Sequence, residues 1–115
     1  MDREQALQRL KDSFSRGSKT PTLGNDAKEY LSQKSAELLQ VVIDPVKAKV
    51  TRAAYPEYAF REYQASDVWA IARSADNWLL TLADKPEFAL AWGDSSDDLY
   101  MHGFSSTDAL AEWLG

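Results

Sequence analysis

Before residue 65 the apolar positions fall mostly at helical spacing; after it they come in short continuous runs. The runs are 68–72, 77–83 and 87–92, with a shorter fourth at 99–102. The breaks between them hold Ser74, Asp76 and Asn77, then Asp84 and Pro86, then the stretch Gly93, Asp94, Ser95, Ser96, Asp97 and Asp98. Short apolar runs bounded by Gly, Pro, Asn, Asp and Ser predict strands. A parallel crossover needs about a dozen residues, and these breaks are shorter, so an antiparallel meander of three to four strands is expected. Alternation puts Trp78, Leu80 and Leu82 on one face of the second strand, opposite Leu79, Thr81 and Ala83. In the third strand Phe88, Leu90 and Trp92 share a face, and the other carries only Glu87, Ala89 and Ala91. That small face suits either solvent or a closely packed helix.

Leu7, Leu10 and Phe14, widened by Ala6, make a narrow stripe that predicts a helix over 2–14. Asp2 is placed to cap it, and Glu4 lies in its first turn. A loop at 18–24 follows, by its Gly and Pro content. Asn25 or Asp26 can cap a second helix that uses Leu31, Leu38, Leu39, Val42 and Ile43. Pro45 stops it, since an internal proline costs roughly 3 kcal/mol. Asp44-Pro45 has the order of a cap and first helical residue, so a short third helix over 45–54 is expected, with one kinked helix as the alternative. Residues 57–63 suit strand or helix. Ser105 to Asp108 has capping-box spacing ahead of a final helix over 107–114. The expected class is α+β in two layers: two or three N-terminal helices, the meander, and a short C-terminal helix.

Composition adds one domain over 1–115 and an uneven charge. Hydrophobic residues make up 44% of the 115 and charged residues 27%, as in ordinary soluble globular domains. No apolar run approaches the ~20 residues of a membrane helix. The N-terminus lacks the basic start and apolar segment of a signal peptide. A cytoplasmic protein with no membrane partner is expected. Cysteine is absent, which removes disulfides, thiol catalysis and thiolate metal sites. The net charge is −5. Residues 1–64 carry 11 Lys/Arg and 9 Asp/Glu, whereas 65–115 carry 2 and 9, so all the excess negative charge lies in the second part. Such a surface argues against nucleic acid and fits a basic protein partner.

Candidate chemistry is sparse. Asp94, Asp97 and Asp98 could ligate a cation, but their spacing is not that of an EF-hand loop; a solvated loop, or one that steers a basic partner, fits better. His102, the single histidine, sits near Tyr100 and Ser105 in no known triad order, and a structural role is expected. Lys47, Lys49 and Arg52, with Arg61, make a small basic face, too small for a nucleic-acid footprint. Trp69, Trp78, Trp92, Tyr55, Tyr58, Tyr63 and Tyr100 are rich aromatic content for one domain, suited to core, interface or pocket. The five glycines are scattered, and no phosphate loop, G-x-S-x-G or H-E-x-x-H is present.

The size, acidity and helix-then-meander order resemble those of small bacterial immunity proteins, antitoxins and secretion chaperones. No shared motif accompanies the likeness, so it transfers no residue roles. The reading is a non-enzymatic protein-binding module without cofactor or metal, whose acidic C-terminal half engages a basic partner. Asp94, Asp97, Asp98, Trp92 and Tyr100 are its candidate contact residues. The alternatives are a small-molecule-binding domain with an aromatic pocket between sheet and helices, and self-association as a homodimer through a strand edge.

Overall fold

Asp2 Oδ1 accepts from the Gln5 amide at 2.8 Å, and Gln5 Oε1 accepts from the Asp2 amide at 2.9 Å. This capping box starts α1 (Arg3–Ser15). Gly17, with φ +81°, closes it by donating its amide to Phe14 O. In a computed structural model, which describes residues 1–17 and 27–114, α1 is followed by α2 (Ala27–Gln40), β1 (Val42–Ala48) and β2 (Val50–Ala53). A kinked helical segment of π type (Pro56–Phe60) leads into α3 (Arg61–Ala65). Then come β3 (Val68–Ser74), β4 (Asn77–Leu82), β5 (Phe88–Trp92), β6 (Leu99–Met101) and α4 (Ala109–Leu114). The expected loop at 18–24 and the caps at Asn25 and Asp26 lie outside the described residues.

The class is α+β, but the expected counts are corrected. Six strands lie in one sheet, in the order β1-β3-β4-β5-β6-β2, and there are four α-helices among the described residues. The third helix expected over 45–54 is replaced by β1 and β2, and Val42 and Ile43 leave the α2 stripe for β1. Pro45 is accommodated because β1 is an edge strand whose pairing with β3 shifts register between Val42 and Val46; an edge or bulge position does not need the missing amide. The 57–63 segment is helical. The C-terminal helix starts two residues later than expected, and its cap is Asp108, whose Oδ1 accepts from the Ala111 amide at 3.1 Å. Ser105 instead bonds Tyr63 and Glu87.

β1 and β2 stand at opposite ends of the strand order, yet only Lys49 separates them. Ala48 pairs with Val68 of β3, and Val50 pairs with Leu99 of β6. Lys49 continues the pairing, donating to Ser96 O at 2.8 Å and accepting from the Leu99 amide at 3.0 Å. One bent segment thus serves both edges, and the sheet curls toward closure. β2 and β6 are parallel; the other pairs are antiparallel.

The curl explains the small face of β5. Val50, Val68, Ala70, Leu80, Leu82, Ala89, Ala91, Leu99 and Met101 form one buried cluster with Tyr63 of α3, joined by Ile43 and Ala48 of β1. All six strands contribute, so this is the inner face of the curl, where alanines leave room for the walls to approach. The outer face carries Val42, Ile71, Leu79 and Phe88, which pack under Ala6 and Leu10 of α1, Leu38 of α2, and Ala109 and Leu110 of α4. Two buried polar side chains lock this layer. Ser13 Oγ donates to Thr107 O at 2.8 Å and accepts from the Ala109 amide at 2.9 Å. Thr81 Oγ1 donates to Glu87 O and accepts from the Arg9 guanidinium. The β3–β4 hairpin turns through Ala75 and Asp76, with φ +54° at Ala75 alone, the pattern of a type II′ turn. No helix among the described residues is long and apolar enough to cross a membrane.

Candidate docking surface and pocket

Trp92 and Tyr100 are register partners on β5 and β6. Their rings stack with centroids 5.9 Å apart and planes 15° from parallel. The Trp92 ring also lies 4.6 Å from the His102 imidazole. Arg52, paired with Tyr100 from β2, holds its guanidinium 5.8 Å from the Tyr100 ring. Leu99 and Met101 point into the curl, so alternation sends Tyr100 outward.

A second ring group comes from three connecting segments. Tyr55 precedes Pro56 and is kept out of the helical region (φ −129°, ψ 75°). Tyr58 sits at the non-helical kink of the following segment (φ −95°, ψ −115°). Phe104 follows Gly103 after β6. Tyr55 and Phe104 stack at 6.0 Å and 7°, and Phe104 and Tyr58 lie 4.6 Å apart. Tyr55, Tyr58, Phe104 and Trp92 are 50%, 56%, 53% and 41% exposed. Exposed large apolar groups scattered singly need no explanation, whereas contiguous ones mark contact sites.

His102 joins the two groups. It touches Trp92, and with Tyr55, Leu90, Gly103, Phe104 and Glu112 it lines a pocket of about 220 Å³. Glu112 stands in the first turn of α4, and its Oε2 is buried without a hydrogen-bond partner. Burial raises its carboxyl from the ordinary 4.5 to about 7; a hydrogen bond with Ser106 lowers it and the Asp108 charge raises it. Next to Phe104 in the chain, Ser105 Oγ lies 2.8 Å from Tyr63 OH and donates to Glu87 Oε1 at 3.1 Å. Burial pushes the Tyr63 phenol well up, the Ser105 hydrogen bond lowers it, and the charges of Glu87, Glu112 and Glu62 raise it. Three carboxylates therefore bear on this one buried hydroxyl.

The raised Glu112 pKa sets a pH dependence. Between pH 4.5 and about 7 the folded state keeps this proton and the unfolded state has released it. Stability from this group is thus full below pH 4.5, falls as pH rises toward 7, and is flat above. Glu112→Gln is expected to gain melting temperature over wild type as pH rises from 5 to 7.5. A constant difference between the two melting curves across that range would contradict the assignment.

Of the residues expected from the sequence, Trp92 and Tyr100 lie within the aromatic surface. Asp94, Asp97 and Asp98 lie in the β5–β6 connection that directly adjoins it. Thr51 Oγ1 donates to Asp98 at 2.5 Å, and Ser95 Oγ donates to Asp97. The three carboxylates do not converge, and among the described residues no three His, Asp or Glu side chains could hold a metal ion. The basic face expected on a third helix is dispersed: Lys47 lies 4.6 Å from the Trp69 ring and 3.6 Å from Asp67, while Arg52 covers Tyr100. Phe104 and Glu112 carry no sequence signal; one follows a lone glycine and the other sits on a short helix.

Comparison with protein-family models, curated proteins and solved structures gave no match.

Proposed function

We propose that this protein is a non-enzymatic protein-binding module that presents an aromatic surface, flanked by acidic residues, to a basic protein partner. The observation that carries the reading is the gathering of Tyr55, Tyr58, Phe104 and Trp92, all exposed and joined through ring contacts and the shared His102 pocket, beside the acidic β5–β6 connection. Tyr and Trp are enriched at binding hot spots because they bring large contact area at small entropic cost. The carboxylates Asp94, Asp97 and Asp98 supply the long-range attraction, and the aromatic groups the short-range contact. An immunity protein or antitoxin that neutralises a basic toxin is the most concrete version. At the aromatic pocket the small-molecule alternative is disfavoured by magnitude: about 220 Å³ is below the ~300–1,000 Å³ of typical ligand pockets, whereas the cleft of about 410 Å³ between α1 and Trp69 is of that size.

The test separates the two contributions. Wild type, Asp97→Lys/Asp98→Lys and Tyr55→Ala/Phe104→Ala are immobilised in parallel and exposed to lysate of the native host. Wild type is expected to retain a basic protein that elutes with salt. The charge-reversed form should lose about tenfold in association rate at low salt. The aromatic variant should lose about tenfold or more in affinity through faster dissociation. Equal retention of the same proteins by all three forms would refute the assignment.

A further inference from the structure

We propose that the pocket walled by Tyr55, His102, Phe104 and Glu112 is a cation seat, and that it takes the guanidinium or ammonium head of one arginine or lysine side chain carried by the partner. The carrier rests on the protein-binding reading; the cation rests on the pocket itself.

Three observations point to an organic cation. Glu112 brings a carboxylate to the wall with a buried oxygen that no donor satisfies. A buried acceptor left unpaired is costly, and a cation seated in the pocket would offset the charge of its carboxylate. Among the described residues no lysine or arginine lines the pocket, and the charges of Glu87 and Glu62 act on Tyr63 along with that of Glu112. Apart from the His102 imidazole, an anion would find no basic group among those lining residues. The rings themselves are the third observation. Four rings elsewhere carry one of the chain's own cations: Lys34 lies 5.6 Å from Tyr30, Lys47 4.6 Å from Trp69, Arg73 4.3 Å from Trp78, and Arg52 5.8 Å from Tyr100. Among the described residues no such cation covers Tyr55, Tyr58 or Phe104. Tyr55 and Phe104 line the pocket together with the Glu112 carboxyl, which combines ring and charge attraction.

Size selects the occupant. About 220 Å³ suits one side chain better than a metabolite. The carbon-rich walls of Tyr55, Leu90 and Phe104 match an alkyl stem that ends in a charge. They do not match a hydrated metal ion, which demands several oxygen ligands.

The probes are N-acetyl-arginine amide and N-acetyl-lysine amide, with N-acetyl-norleucine amide as the uncharged match to lysine and methylguanidinium as a free cation. Each is titrated into the full chain at pH 8, where the Glu112 carboxyl is ionised, and followed by amide and indole NMR signals. The cationic amides are expected to shift Gly103, Phe104, Glu112 and the Trp92 indole. They should bind about tenfold more tightly than the norleucine amide. Glu112→Gln should remove most of that difference and leave norleucine binding unchanged. Glu4→Gln, in the exposed first turn of α1, should leave the cation affinity within about twofold at ~0.15 M salt, where surface charges are screened.

Equal binding of norleucine and lysine amides would overturn the proposal, as would shifts confined to 94–98, or an unaltered preference in Glu112→Gln. Phe104→Leu keeps an apolar wall and removes the ring, so loss of cation preference there supports the ring contribution and retention overturns it. Binding of methylguanidinium without binding of either amide would overturn the side-chain carrier. Cation binding by the pocket, together with equal retention of lysate proteins by all three immobilised forms, would support the seat and refute the protein-binding reading.

Discussion

Arg9→Ala is expected to lower the free energy of unfolding by about 2–4 kcal/mol, a large share of the roughly 5–15 kcal/mol typical of a domain. Arg9 projects from α1 onto the end of β4 and the turn after it. One guanidinium nitrogen donates to Thr81 Oγ1 at 3.0 Å, to Leu82 O, and to Lys85 O at 2.9 Å; another donates to Ala83 O at 2.8 Å. Three backbone carbonyls and a fully buried hydroxyl therefore depend on one side chain. Water can replace the bond to exposed Lys85, but not readily those to Leu82 and Thr81, which are buried. Each buried acceptor stranded costs about 1–3 kcal/mol. Arg9→Lys should recover less than half of the loss, because a single ammonium cannot span a fan of acceptors that a planar fork reaches. In urea titration the midpoint should fall with little change in slope, and amide exchange should quicken first at 83–87. A loss below about 0.5 kcal/mol, the size of an ordinary surface substitution, would mean that the fan is not formed in solution.

The same arginine shows what is hard to read from a sequence. Its periodicity places Arg9 beside the stripe of α1, as any solvated helix residue would be placed, and nothing local says that carbonyls more than seventy positions away will meet it. The strands of the meander were legible because their limits are local. Asp, Asn, Pro and Gly end each run, and alternation assigned Trp78, Leu80 and Leu82 to a common face, which they share in the inner cluster. β1 and β2 were not legible. Leu38, Leu39, Val42 and Ile43 continue a helical stripe past Gln40, where α2 stops. Asp44-Pro45 has the order of a helix start, and the same dipeptide is equally acceptable on a bulged edge strand. The competing signal was the β-branched run Val41, Val42, Ile43, Val46, Val50 and Thr51, which favours pleated backbone. The layer that alanines Ala89 and Ala91 face followed from closure of the sheet through Lys49, a tertiary event with no local signature.

The candidate site divides in the same way. Trp92 and Tyr100 flank the acidic connection in sequence, so their neighbourhood could be inferred from hairpin geometry. Tyr55, Phe104 and Glu112 reach one pocket from the segment after β2, the segment after β6, and α4, and Tyr58 of the π-type segment touches the Tyr55 and Phe104 rings. Only the curl of the sheet brings these together. The rings sit where chain direction changes, next to Pro56 and Gly103, and such positions are exposed because their backbone must meet water. An aromatic residue at a turn is thus a weak sign of contact, weak because it says nothing about which other turn it will meet.

Gly93→Ala should be the most disruptive single-methyl change near the site, with an expected loss of about 2–4 kcal/mol. Gly93 leaves β5 with φ +157°, a conformation that favours glycine, and a Cβ there would lie 2.8 Å from Asp98 O and 2.9 Å from Leu99 Cδ2. The first contact is with backbone, and Leu99 is fully buried in the inner cluster, so neither neighbour can yield cheaply. Gly93 is also fixed from outside. Its amide donates to Asp76 O at 3.0 Å, and its carbonyl accepts from Trp78 Nε1 at 2.8 Å. Relief must therefore come from the 94–98 connection, which carries Asp94, Asp97 and Asp98, or from the Trp92–Tyr100 pair on either side. The Trp78 indole reports the first event, since losing the Gly93 carbonyl shifts its Nε1 proton; near-ultraviolet circular dichroism of the Trp92–Tyr100 stack reports the second. Both signals should change in folded Gly93→Ala below its melting temperature. Wild-type stability with an unshifted Trp78 indole would show that Asp98 O is not where the structure places it, and that the acidic residues are not held against the aromatic surface.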